Sequence, residues 1–262
     1  MKIPYFQVDS FTGSVFSGNP AGVCILEHWP DDAVLLSIAM ENNLSETAFI
    51  IQKGDNVFDL RWFTPAVEVD LCGHATLASA FVIFEHIVPS KNRIRFNSKS
   101  GLLTVDRMDG LISMDFPRRP LEVYDNTELL VKALGRRPAE VFLSDIDCLA
   151  VFNSEEYVRD IEPDIQGLCE LDCQGVIVTA EGSECDFVSR YFGPRVGIYE
   201  DPVTGSAHCT LVPYWSKRLK KTSLHALQIS SRGGELFCED HGSRVQISGK
   251  AVEYLKGTIA IQ

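Results

Sequence analysis

At 262 residues, with 45% hydrophobic and 23% charged residues, the chain is long enough for two modest cores and has the makeup of a globular protein. A formal charge of −12 argues against a phosphate-backbone partner, and no apolar run approaches the roughly 18–20 residues of a membrane span. The start, Met1-Lys2-Ile3-Pro4-Tyr5-Phe6, has no apolar leader before Asp9, so the expected location is the cytoplasm.

In chain order, residues 4–8 and 22–26 are predicted strands, separated by a turn at Ser17-Gly18-Asn19-Pro20. Asp31 is expected to cap a helix running to Met40, with Val34, Leu35, Ile38 and Ala39 on one side. Asn42-Asn43 can end that helix in a left-handed conformation. Strands follow at 47–52, 57–63, 93–96, 102–106 and 111–116. Residues 73–86 are apolar nearly all round, the mark of a buried helix. Beyond Pro117-Arg118-Arg119-Pro120, helices are expected at 127–134, ended by Gly135, and at 155–159. Strands are expected at 141–143, 149–152, 175–179, 186–192, 227–231 and 245–247, with a second buried helix at 205–219.

The eight cysteines form no C-x-x-C pair, and Cys169 and Cys173 have no histidines nearby to complete a zinc set, so no metal ligands are expected. The one basic cluster, Lys217-Arg218-Leu219-Lys220-Lys221, is what a helix C-terminus favours. No nucleic-acid or membrane partner is expected.

A repeat organises the chain. Arg61-Trp62-Phe63-Thr64-Pro65-Ala66-Val67 returns as Arg190-Tyr191-Phe192-Gly193-Pro194-Arg195-Val196, offset by 129 residues, and Gly73 returns as Gly205, offset by 132. Half the chain is 131 residues. Two homologous halves are therefore predicted, each strand-rich around one apolar helix, which is an α+β architecture. Strands do not alternate strictly with helices and no G-x-G-x-x-G follows a strand, so a Rossmann fold is rejected. The expected domains are 1–117, with a returning strand at 251–262, and 118–250.

Each repeated glycine turn opens a helix, and two helix N-termini facing one cleft between the domains would hold a small anion, most simply a carboxylate. The alternative is that Gly73 and Gly205 only let the chain turn tightly. Around these turns stand Glu46, Cys72, His74, Asp201, Ser206 and His208. His74 sits where a cap would be Ser, Thr, Asp or Asn, which suggests a further role. Asp201 before Pro202 can equally be a turn residue, Ser206 a helix-terminal hydroxyl, and Glu46 a solvated loop residue.

Gly18-Asn19-Pro20-Ala21, Asn43-Leu44-Ser45-Glu46-Thr47-Ala48-Phe49, Arg61-Trp62-Phe63-Thr64-Pro65, Cys72-Gly73-His74-Ala75-Thr76, Glu200-Asp201-Pro202-Val203-Thr204-Gly205-Ser206-Ala207 and Ser231-Arg232-Gly233-Gly234-Glu235 together resemble the phenazine-biosynthesis PhzF-like isomerase family. The resemblance implies the two-domain fold of diaminopimelate epimerase. It also implies a hydrogen shift within a carboxylate-bearing substrate, such as a dihydro-hydroxyanthranilate, without metal or organic cofactor. Glu46 then resembles the acid and base, His74, Asp201 and Ser206 the groups around the substrate, and Gly73 the turn beside it. Related epimerases carry opposed thiols at the two turns. Here Cys72 has no thiol partner in Val203-Thr204-Gly205-Ser206, so two-thiol racemisation is not expected.

The leading expectation is a cofactor-independent isomerase with catalytic Glu46, His74 and Asp201, and with Gly73, Ser206, Gly205 and Cys72 binding substrate. The expected partner is a small anionic substrate, with room left for a homodimer. An epimerase using Cys72 or Glu46 with Asp201 is the second reading, and an idle small-molecule binding or interaction protein on the same scaffold is the third.

Overall fold

The computed structural model, which describes residues 1–261, divides into two compact units, 1–115 with 247–261 and 116–246. In the first, β1 (Lys2–Ser10) is antiparallel both to β2 (Asn19–Leu26) and to the chain's last strand, β18 (Ala251–Ala260). Residue 262 of the expected return strand lies outside the described residues. The helix α1 (Asp32–Asn42) crosses from β2 to the parallel β3 (Glu46–Gln52). Next, β4 (Val57–Phe63) is antiparallel to β3 and to the short β5 (Glu68–Val69), and parallel to β6 (Arg93–Ser98). The antiparallel strands β7 (Gly101–Met108) and β8 (Leu111–Pro117) follow β6.

Between β5 and β6 runs α2 (Gly73–Val82), with every residue but Phe81 buried. Its small residues Gly73, Ala75, Ala78, Ser79 and Ala80 let strands approach it on all sides. The helix expected over 73–86 stops short. Residues Ile83–Ile87 form a π-helical turn closed by Val88 N–H to the Ile83 carbonyl at 2.8 Å. This wider turn brings His86 into a stack on Phe6 with ring centroids 4.8 Å apart.

The second unit repeats the plan. After β9 (Glu122–Val123) and α3 (Glu128–Leu134), which Gly135 ends in the left-handed region, β10 (Glu140–Leu143) pairs antiparallel with β9 and with β11 (Asp147–Val151). The helices α4 (Glu155–Arg159) and α5 (Ile165–Cys169) cross to β12 (Gly175–Glu181), parallel to β11. Then β13 (Phe187–Gly193) is antiparallel to β12 and to β14 (Ile198–Asp201), and parallel to β15 (Ser223–Gln228). The buried helix α6 (Gly205–Leu219) joins β14 to β15. Lastly, β16 (Gly234–Asp240) pairs antiparallel with β15, and β17 (Arg244–Gly249) precedes β18. The pairing order of β2 to β7 is thus that of β11 to β16. The strand expected at 227–231 is displaced: β15 ends at Gln228, where Ile229 bonds back to Ser189 and a turn leads to β16.

The repeated Arg-aromatic-Phe block has the same structural task in both units. Arg61 on β4 grips Glu68 on β5 through Nε–Oε1 at 2.7 Å and Nη2–Oε2 at 2.8 Å, and its guanidinium lies 5.1 Å from the Phe63 ring centre. Arg190 grips Glu200 on β14 at 2.7 and 3.0 Å and lies 4.9 Å from Phe192. Each forked pair fixes the hairpin that leads into a helix-opening glycine. The chain from Arg190 to Glu200 is three residues longer than that from Arg61 to Glu68, the extra Gly197-Ile198-Tyr199 falling after the shared Pro-x-Val, which accounts for the change of offset from 129 to 132.

The hydrogen bond and charge of Arg61 hold the Glu68 carboxyl down at about 2. Arg61→Lys keeps the charge and removes the fork, and Arg61 is only 19% exposed. We expect a stability loss of about 1–2 kcal/mol and a melting point about 2–6 °C lower by calorimetry. An unchanged melting point would show that the fork does not fix this hairpin.

Candidate active site

Glu46 is set by a helix stop followed directly by a strand start. Asn43 ends α1 at φ 49°, its N–H bonded to the Ala39 carbonyl, and Glu46 is the first residue of β3, opposite Ala21 on β2. The side chain is buried.

His74 is the second residue of α2. Its Nε2 lies 3.3 Å from Glu46 Oε2, and its Nδ1 lies 3.2 Å from Asn19 Nδ2. An amide nitrogen can only donate, so Nδ1 accepts and the ring proton sits on Nε2, facing Glu46. Burial holds His74 down at about 3, which leaves the ring neutral at ordinary pH. It can therefore donate a hydrogen bond but cannot act as a cationic acid.

Asn19 was not among the expected site residues. The sequence places it in a turn, whereas it opens β2 opposite Ser10 and is fully buried. The turn lies just before it and depends on Gly18, at φ +66°, where an added Cβ would meet the Ser10 carbonyl oxygen at 2.2 Å. Ser10 also donates from Oγ to the His74 carbonyl at 2.8 Å. A buried polar residue at a strand start leaves no periodic trace, so only the Gly-Asn-Pro-Ala match pointed there.

Cys72 occupies the N-cap position of α2 without a side-chain cap bond, and its Sγ lies 3.5 Å from His74 Nδ1. One ligand atom from each of Glu46, Cys72 and His74 falls within 4.8 Å of the others, a mixed metal-capable set that cysteine spacing could not reveal. As it stands, Asn19 holds the ring through Nδ1, and Nε2 faces the Glu46 carboxyl at 3.3 Å with no hydrogen bond formed between them.

In the second unit Asp201 ends β14, and Asp201 Oδ2 accepts from Thr204 Oγ1 at 2.5 Å. Gln228 on β15 braces the same turn, accepting from Thr204 N at 2.8 Å and donating to the Asp201 carbonyl at 2.8 Å. Gly205 and Ser206 are the first residues of α6, Gly205 buried and Ser206 half-buried. Thr204 and Gln228 were not anticipated. His208 is a structural residue: it bonds the Thr204 carbonyl through Nδ1 at 2.9 Å, packs on Phe187, and is held by burial at about 4.

A family model described as phenazine biosynthesis-like protein matches residues 8–257. An uncharacterized isomerase of Pseudomonas aeruginosa is 50% identical over 99% of each chain. The crystal structure of a PhzF-family phenazine biosynthesis protein from Enterococcus faecalis superposes with a TM-score of 0.96 at 47% identity, covering all of both chains. A predicted epimerase from Pseudomonas aeruginosa, at 18% identity and a TM-score of 0.79 over 99% of this chain and all of that one, shares the fold. The expected α+β, epimerase-like architecture is thereby shown. No helix among the described residues is long and apolar enough to cross a membrane.

The buried histidines give stability a definite pH dependence. Both folded values lie below the ordinary 6.5, so the unfolded chain takes up protons first. Their contribution is fully present above about 6.5 and is lost as pH falls towards about 4 and 3, at about 1.4 kcal/mol per pH unit each. Asp147, raised by burial to about 6, runs the other way between 6 and 3.8. Comparing His208→Leu with the parent protein isolates one histidine. In denaturant melts, the parent's loss from pH 6 to pH 5 should exceed the variant's by about 1.4 kcal/mol, and equal losses would contradict a neutral buried His208.

Proposed function

The chain belongs to the phenazine biosynthesis-like family and is an isomerase, and on that premise we propose that it moves a proton within a small carboxylate-bearing substrate, with Glu46 as both base and acid. The observation that carries this assignment is the buried Glu46 carboxylate 3.3 Å from Nε2 of a neutral His74. Glu46 takes a proton from a substrate carbon: a C–H bond breaks, an O–H bond forms, and the electron pair spreads into the adjoining unsaturation. The same carboxyl then gives the proton to another carbon and is restored as carboxylate. Substrate and product differ only in where one hydrogen sits, so the cycle needs no electron acceptor.

The neighbouring groups suit that task. His74 is too weakly basic to accept the proton, so the proton stays on Glu46, whose carboxyl lies 3.3 Å from the neutral ring. The first N–H groups of α2 and α6 lack intrahelical acceptors and suit a substrate carboxylate. In this proposal Asp201 and Ser206 hold the polar substituents of that same substrate. Gly73 and Gly205 keep the first turns free of side chains.

The test is a screen of small cyclic and acyclic amino and hydroxy carboxylates in deuterated water, reading deuterium entry at carbon. With any substrate found, Glu46→Gln should slow exchange by about 10²–10⁴-fold and Cys72→Ala by less than about tenfold. The position of the Cys72 thiol, 3.5 Å from His74 Nδ1, favours an epimerase-like second reading. That reading replaces the first if Cys72→Ala abolishes exchange and Glu46→Gln leaves it intact. A protein that exchanges no substrate would fit the idle scaffold instead.

A further inference from the structure

The helix dipole explains the basic end of α6 only in part. Lys217 and Arg218 there line a cavity of about 380 Å³ in the second unit, together with Arg118 and Arg119 from the segment before β9. The cavity is within the size range of small-molecule sites. Four cations meet one carboxylate in its lining, Glu140, in a chain whose formal charge is −12.

The charges are unevenly matched. Arg218 pairs with Glu140, which also accepts from the Tyr214 hydroxyl at 3.2 Å, and Arg119 pairs with Asp145 at 2.8 Å. Arg118 and Lys217 have no carboxylate within ion-pair distance among the described residues. Two cations of the lining are therefore left without a counter-charge. Phe142 and Tyr214, with ring centres 5.6 Å apart, supply an apolar wall. From Gly205 to Pro213 the helix advances about 12 Å, so this cavity and the Asp201 turn lie well apart along α6.

We propose that this cavity is a second binding site, for a phosphate monoester carried on an aromatic or apolar body. A dianion matches the two uncompensated cations. Its oxygens suit the forked guanidinium of Arg118 and the point charge of Lys217, and the rings of Phe142 and Tyr214 take the organic part. The site is independent of the proton-transfer reading, because none of its residues belongs to the Glu46 or Asp201 clusters.

The probe is phenyl phosphate, titrated calorimetrically into the full chain at low salt, beside inorganic phosphate and phthalate. One molecule should bind per chain, at least tenfold tighter than inorganic phosphate and tighter than phthalate, with affinity falling as salt rises. Arg118→Ala and Lys217→Ala, both at exposed positions, should each weaken binding at least tenfold, while Ser206→Ala and Glu46→Gln leave it unchanged. The proposal is overturned by no binding at millimolar probe, or by inorganic phosphate or phthalate binding as tightly as phenyl phosphate. It is equally overturned if Ser206→Ala removes the binding and Arg118→Ala does not.

Discussion

Keeping one carboxylate and one uncharged imidazole out of water, 3.3 Å apart, is the constraint on which the first unit depends. Desolvation strongly disfavours charge on the ring, and Asn19 decides which nitrogen keeps the proton. The pieces that hold this arrangement come from four places: the end of β1, the start of β2, the start of β3 and the first turn of α2. Gly18 sets Asn19, Asn43 sets Glu46, and the Arg61–Glu68 fork sets the approach to Gly73 and His74. A local change in any of these displaces a polar atom that has no water to replace its partner.

The duplication preserved the scaffold and let the side chains diverge. Glu46 opens β3, and its counterpart by the 129-residue offset is Gly175, which opens β12. A Cβ at Gly175 would fall 2.2 Å from the Tyr191 hydroxyl, which donates to the buried Asp147 at 3.1 Å. A tyrosine–aspartate pair thus fills the place that the first unit gives to the buried Glu46. The second unit's polar side chains gather instead at the turn into α6, where Asp201, Thr204 and Gln228 bond one another. One half suits proton transfer and the other suits a braced polar turn.

Much of the scaffold was legible in the sequence because its signals are local. The strand at Val57–Phe63, the helix at Gly205–Leu219 and the left-handed caps at Asn43 and Gly135 follow from periodicity and from residues that tolerate positive φ. Glu46 was legible only through resemblance, since its partner His74 lies 28 residues away and nothing near Glu46 hints at it. Asn19 was hidden for a related reason: Gly-Asn-Pro spells a turn, and only the pairing of β1 with β2 draws the asparagine into a strand. The cationic cavity escaped notice because Arg118-Arg119 and Lys217-Arg218 are far apart in sequence, and each pair is unremarkable alone.

The most direct test of the account is the protonation state of His74, read by ¹⁵N NMR of histidine-labelled protein, with the ring assigned by comparison with His74→Gln. The account predicts a neutral ring with the proton on Nε2 and an unprotonated Nδ1, unchanged from pH 8 to pH 5. A ring that titrates near 6.5, or that carries its proton on Nδ1, would contradict the buried donor facing Glu46 and the mechanism built on it.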